Sequence, residues 1–324
     1  MNRRDAVLAL LALGVAPLAA EAQSAARLPR IGVLWQTTPP PPVHPNMAAL
    51  LKNLKDLGWE DGKTVAIEYR FAGNDADRLA QFANELVRLK VDLITTSGDL
   101  STRAAQQATA TIPIAMVVGF PVESGFVKSL ARPGGNITGV AVLADELSVK
   151  RLELLKELIP RLSRVVVLWD PVTSERQPKA AEAAARALGL QIEVLRAKTA
   201  GDLAGAFEKA TAARAEALLV LVSPMFQGNA SAFADLAARH RIPVMYSAPV
   251  FVEVGGLITY GFVSDELWRL TAASIDKILK GAKPADLPVQ QPTKFELVIN
   301  LKTAIALGLK VPQSIFLRAD RIIE

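Results

Sequence analysis

RVVVLWD at residues 164–170 and EALLVLV at residues 216–222 are apolar at nearly every position, with no alternating polar side chains. A strand with one wet face alternates apolar and polar residues. A strand covered on both faces does not, and parallel sheets wrapped by helices meet that second condition. The two runs therefore predict a doubly wound α/β fold. Around them, β-rich segments at 192–195, 242–246 and 257–261 alternate with helical patterns at 146–159, after Ser174 and near Leu203. Upstream the same rhythm gives strands at 31–35, 65–69, 91–95, 112–118 and 137–140. Between them, residues 75–90 place Leu79, Phe82, Ala83 and Leu86 on one helical face. Asp75 and Asp77 at its start and Arg88 and Lys90 at its end complement the helix dipole. Two such series predict two Rossmann-like lobes. Beyond them, 265–280 is a further helix, with Leu267, Leu270, Thr271, Ser274, Ile275 and Ile278 at three-and-four spacing and a stop at Gly281. The connector KPADLPVQQPTK (283–294), a strand at 295–299 and a helix at 301–307 are expected to cross back between the lobes, with periodicity silent on which lobe receives each piece.

The 324 residues are 51% hydrophobic and 21% charged, which excludes a disordered chain and suits two domains. There is no Cys and there are two His, which removes disulfides, thiolate metal sites, thiol nucleophiles and a three-His metal centre. No cofactor is expected. Net charge is +5, with Lys and Arg scattered among acids, so no nucleic-acid footprint is expected. The start, MNRRD, then an apolar stretch containing Pro17, then Ala20-Glu21-Ala22, reads as a signal peptide over 1–22. Removal near Ala22 takes two basic and two acidic residues and leaves the net charge at +5. Arg3-Arg4 leaves the general secretory and twin-arginine routes both open. The mature protein is expected free in the periplasm.

In open parallel sheets a ligand sits outside the carboxyl ends of the strands, where helix N-termini present unpaired amides. The strand-to-helix loops are therefore the candidate site: Trp35 and Gln36; Thr96, Ser97 and Gly98; Gly119, Phe120 and Pro121; Asp170 and Thr173; Ser223 and Phe226; Tyr246 and Ser247. They are rich in hydroxyls, glycine and aromatics and poor in acid–base groups, a composition that binds without reacting. Thr96-Ser97-Gly98 could hold a ligand carboxylate, or Ser97 and Asp99 could simply cap the next helix. Asp170 could meet a ligand ammonium, or form a turn before Pro171. Trp35, Phe120, Phe226 and Tyr246 could sandwich an apolar ligand, or fill the core. The TPPPPVHP run at 38–45 reads as a stiff loop near the cleft mouth. His44 and His240 read as a loop residue and a helix-end residue.

SLARPGGNITGV (129–140), FVEVGGLITYG (251–261) and QPTKFELVINLKTAIALGLKVPQSIFLRADRIIE (291–324) resemble the tryptophan- and tyrosine-type substrate-binding proteins of bacterial ABC transporters. The resemblance runs over essentially the whole chain. It implies a type I periplasmic-binding-protein fold, with two lobes joined by three crossovers, closing as a clamp on a small ligand and docking on an inner-membrane ABC permease. On that basis lobe 1 is expected at 28–141 plus 262–288 and lobe 2 at 142–261 plus 289–324. A monomer is implied as well. Phe120 stands where the family often has an acidic or amide residue, and Ser223-Pro224-Met225-Phe226 is also apolar. These departures point to an aromatic or branched carboxylate rather than a polar amino acid. A periplasmic sensor or adaptor for a membrane receptor would use the same clamp. An enzyme would need a nucleophile or base, yet no G-x-S-x-G or HExxH motif occurs, nor a G-x-G-x-x-G after the first strand.

Overall fold

The computed structural model describes residues 27–37, 45–142 and 144–324; the segment 1–22 expected to be a signal peptide, and residues 38–44 of the proline run with His44, lie outside the described residues. The first series is β1 (Arg30–Trp35), α1 (Pro45–Asp56), β2 (Ala66–Phe71), α2 (Ala76–Arg88), β3 (Leu93–Ser97), α3 (Asp99–Ala108), β4 (Ile114–Val118) and β5 (Ile137–Ala141). The second begins α4 (Ala144–Leu158), β6 (Arg164–Trp169), α5 (Arg176–Ala187), β7 (Gln191–Arg196) and α6 (Asp202–Ala212). It continues β8 (Ala217–Val220), α7 (Pro224–Gly228), α8 (Ala230–His240), β9 (Val244–Tyr246), α9 (Pro249–Glu253) and β10 (Ile258–Phe262). Last come α10 (Ser264–Leu279), β11 (Phe295–Asn300), α11 (Leu301–Ala306), α12 (Gln313–Arg318) and β12 (Arg321–Ile323).

The two apolar runs explain the second sheet. Residues 165–169 and 217–220 are buried along their whole length and pair in parallel, Val165 with Ala217 through Leu168 with Val220. One face packs on α4 and α5 through Leu152, Leu155, Ala181 and Ala184; the other packs on α6, α8 and α9 through Leu203, Phe207, Phe233 and Phe251. The first sheet, ordered β2-β1-β3-β4-β5, is entirely parallel. It is covered by α2 and α3 on one side and by α1 and α10 on the other. Both sheets thus form two-sided α/β lobes, as their hydrophobic patterning predicts.

The chain crosses between the lobes at three places. β5 leads into α4; β10, in the second sheet, leads into α10, which packs on the first; and the connector returns from α10 to β11. The segment at 295–299 joins the second sheet: β11 runs antiparallel to β10, with Ile258 opposite Ile299, and β12 adds parallel to β11. Before that return, Gln290 bonds the edge of β5, donating its N–H to Gly139 O at 2.8 Å and accepting from Ala141 N at 2.8 Å.

Periodicity gave no span for helices α1, α3, α7, α8, α9 and α12, although a helix was expected to open after Gly98 and another to end near His240. The reason is clearest in α3, DLSTRAAQQA, whose buried face is Ser101, Thr102, Ala104 and Ala105. Small and hydroxyl side chains pack closely there but leave no large-apolar pattern to detect. β3 also runs two residues later than predicted, which places Ser97 at its carboxyl end.

The predicted dipole complementarity of α2 is joined by a side-chain cap: Asp75 accepts from Asp77 N at 2.9 Å and from Arg78 N at 3.1 Å. Asp75→Ala is expected to remove about 1 kcal/mol, a fall of roughly 2–4 °C in melting temperature, readable by differential scanning calorimetry. No change would show that this cap is not stabilising the helix.

Candidate functional site

The carboxyl ends of β1, β3 and β4 in the first lobe face those of β6, β8 and β9 in the second, and a cavity of about 430 Å³ lies between them. Volumes of this order suit a small organic molecule. Of the residues predicted from sequence, Trp35, Gln36, Ser97, Gly98, Gly119, Phe120, Thr173 and Ser247 line it.

The other predicted residues stand behind the wall, each held by a partner or by packing. Thr96 Oγ1 shares a hydrogen bond of 2.8 Å with Thr102 Oγ1. Pro121 is buried at a turn, its carbonyl accepting from Phe126 N at 2.9 Å. Asp170, predicted to meet an ammonium, is 1% exposed; its Oδ2 accepts from Ser223 Oγ at 2.6 Å and its Oδ1 from Val172 N at 3.0 Å. Burial pushes its carboxyl pKa up, against the pull of those two bonds. Ser223 is thereby both donor to Asp170 and N-cap of α7. Phe226 packs edge-on against Phe233 at 5.2 Å, and Tyr246 stacks on Phe251 at 4.7 Å, so both serve the second lobe's core.

Trp35 and Trp268 make one wall, their rings 5.2 Å apart and 28° from parallel. Trp268 was missed in the sequence, although it stands on the buried stripe of α10 with Thr271 and Ile275. Its indole Nε1 is buried and finds no hydrogen-bond partner among the described residues. The same holds for Gln36 Oε1 and Ser247 Oγ, on residues 2% and 4% exposed.

Beside Gln36, Gly98 caps α3 with φ 94° and ψ 162°, and contributes no side-chain cap. A Cβ there would overlap Gln36 Oε1 and lie 3.0 Å from Pro224 Cγ of the opposite lobe. Asp99, weighed in the sequence only as a cap, instead lines the cavity. Ser124 Oγ donates to its Oδ2 at 3.0 Å, and no donor among the described residues reaches Oδ1. Burial pushes the Asp99 carboxyl pKa up, with the Ser124 hydroxyl and the Arg103 charge opposing the shift.

Behind Ser247 stands Arg151, wholly buried, donating Nε to Tyr260 O at 2.7 Å and Nη2 to Ser247 O at 3.2 Å. Burial lowers its pKa to about 9, so it stays charged at neutral pH. Glu253, Glu296 and Arg321 close the hinge end, with Arg321 shared between Glu253 at 3.1 Å and Glu296 at 3.5 Å. No local pattern could have found these, because α9, β11 and β12 meet only through the sheet order.

Direct contacts join the lobes at the cleft mouth. The Arg176 guanidinium pairs with Glu123 and lies 5.0 Å over the Phe120 ring. Asn46 Nδ2 donates to Gln227 Oε1 at 3.3 Å, and its Oδ1 accepts from Ser264 Oγ at 3.2 Å. The cleft is closed.

A family model described as ABC transporter substrate binding protein matches residues 41–323. A tyrosine-binding protein of Clostridioides difficile (strain R20291) is 29% identical over 275 residues, 82% of this chain and 79% of that protein. Among solved structures, a conserved domain protein from Vibrio cholerae superposes with a TM-score of 0.84 at 26% identity, over 91% of this chain and all of that one. An ABC domain from Streptococcus pneumoniae in complex with L-Trp gives 0.82 at 27%, with the same coverage of this chain and all of its own. A ligand-free, open substrate-binding protein from Clostridium difficile gives 0.63 at 25%, over 91% of this chain and 99% of that one.

Proposed function

The chain belongs to the ABC transporter substrate-binding protein family, and we propose that it is the periplasmic receptor of an importer, clamping a small organic solute between its lobes and delivering it to an inner-membrane permease. It binds without chemistry and acts as a monomer. The carrying observation is the closed interlobe cavity, whose buried Gln36 Oε1, Ser247 Oγ and Trp268 Nε1 have no partner among the described residues. Buried polar atoms are nearly always hydrogen-bonded, and three orphans around one cavity, on both lobes, are what a ligand would satisfy. Two lobes that both touch the ligand give it the differential affinity that drives closure. Better agreement with the L-Trp complex than with the open, ligand-free relative supports the closed, ligand-competent reading of this geometry.

The stacked indoles and Phe120 favour an aromatic or branched solute of amino-acid size, and the tyrosine-binding and L-Trp-bound relatives support the same class. The leader at 1–22 supports export, and no described helix is long and apolar enough to cross a membrane.

The test is a ligand panel on mature protein refolded from denaturant, read by melting temperature and by the fluorescence of Trp35 and Trp268. An aromatic or branched solute at a hundredfold excess over Kd should add about 2.7 kcal/mol, a rise of several degrees, and change the emission. Binding confined to sugars or polar amino acids would sink the solute class; turnover of any ligand would sink the non-enzymatic role.

A further inference from the structure

Arg151 on α4 is wholly buried, yet no carboxylate pairs with it and its Nη1 finds no partner among the described residues. A buried guanidinium without a counter-charge costs stability, and an apolar side chain of similar volume would fill the same space at lower cost. Its place in the fold is explained by what it holds. Nε donates to Tyr260 O at 2.7 Å, two residues before β10 ends, and Nη2 donates to Ser247 O at 3.2 Å, one residue beyond β9. α4 is the first helix after the crossover from β5, and β10 leads into the crossover to α10. The guanidinium thus joins the second-lobe ends of two crossovers to the loop that carries Ser247. The same carbonyl is confined from a second direction: a Cβ on Gly261, in β10, would lie 2.6 Å from Ser247 O, so β10 passes as close as a glycine permits. Just beyond β10 the second and third crossovers are tied in turn, with Val263 N–H donating to Lys294 O at 3.1 Å and Glu266 accepting from Lys294 N at 2.7 Å. Ser247 lines the cavity, whereas Arg151 and Gly261 do not.

We propose that Arg151 is a positioning residue for solute binding: it locks the Ser247 wall of the cavity to the strand and helix that enter the hinge, so that contact with Ser247 moves the hinge ends with it. A solute can favour the closed state only through contacts that differ between open and closed lobes, and a second-lobe wall that gives way under contact forfeits that difference. Arg151 keeps the wall from giving way. The role explains why an unpaired buried cation is retained where an apolar residue would pack, since only a donor with a wide fork reaches both carbonyls from one helix position. The proposal rests on the reading of the cavity as a small-solute site and adds a residue that governs the solute without touching it.

The experiment compares wild type with Arg151→Met by two readouts, hydrogen exchange of the unliganded protein and calorimetry with L-tryptophan, L-tyrosine, L-phenylalanine, L-leucine and the wider solute panel. In Arg151→Met the amides of residues 247–253 are expected to exchange about tenfold or more faster, while those of β6 and β8 keep their protection. Affinity for whichever probe binds wild type most tightly should fall about tenfold or more, although the substituted side chain does not line the cavity. A merely structural role would speed exchange throughout the second sheet, or leave the affinity of the folded protein unchanged, and either result overturns the proposal. Should Arg151→Met fail to fold, Gly261→Ala provides the second arm: its methyl displaces the same carbonyl from the other side and should cost about fivefold or more in affinity. Where wild type binds a probe and the folded variants bind it within threefold of wild type, the role of Arg151 falls and the solute receptor stands. If wild type binds nothing in the panel, both fall.

Discussion

Gly98→Ala is expected to lower ligand affinity about a hundredfold or more while the protein stays folded. The backbone at Gly98, φ 94° and ψ 162°, lies in a region essentially reserved for glycine, and holding another residue there costs of order 1–3 kcal/mol. The added Cβ would overlap Gln36 Oε1, displacing a cavity-wall side chain, and press to 3.0 Å on Pro224 Cγ of the second lobe. Only the first of these consequences exists in every conformation. The contact with Pro224 exists because the lobes are together, so the methyl penalises the closed state selectively, and whatever it adds to closure is subtracted from binding. A penalty of about 2.7 kcal/mol is a hundredfold in Kd. Calorimetry gives the affinity, and small-angle scattering shows whether saturating ligand still compacts the variant. A Gly98→Ala protein that binds within threefold of wild type and compacts normally would mean that the ligand-bound cleft is not the closed geometry described here.

What the sequence disclosed follows from the range of each signal. Residues 164–170 and 216–222 announce strands buried on both faces because burial on both faces erases alternation locally. The strand-end loops then point to Trp35, Gln36, Ser97, Gly98, Gly119, Phe120, Thr173 and Ser247, all on the cavity wall, because the rule connecting strand ends to ligands needs only chain direction. Which side chain of a loop turns inward is a different matter. Asp170 and Asp99 both follow a strand, yet Ser223 and the Val172 amide hold Asp170 behind the wall, while Asp99, bonded by Ser124, lines the cavity. Ser223 lies 53 residues from Asp170 and Ser124 lies 25 from Asp99, so neither outcome is written locally. Glu296 and Arg321 are further still from local reading, since they reach the site only after the chain has crossed between lobes three times.

Gly139→Ala should act on stability first, removing about 4 kcal/mol or more, a value reached only by substitutions with a specific steric or cavity cause. Gly139 pairs with Met116 across β4 and β5 at φ 141°. Its added Cβ would overlap Met116 O and lie 2.6 Å from Met116 N. These are backbone atoms in the interior of a sheet, so no side-chain rotation relieves the overlap and the two strands must part. β5 also holds the returning connector, through the Gln290 N–H donated to Gly139 O and the Ala141 N–H donated to Gln290 O, each at 2.8 Å. Parting β4 from β5 therefore loosens the first sheet and one crossover together. At roughly 2–4 °C per kcal/mol the melting temperature should fall by about 10 °C or more. Because each lobe has its own buried clusters, the loss should fall on the first lobe, splitting a single calorimetric transition into two. A variant melting within 2 °C of wild type would refute the close β4–β5 approach. A large drop with one undivided transition would instead show that the crossovers couple the lobes strongly enough to unfold as one, and the hinge would then contribute to stability as well as to closure.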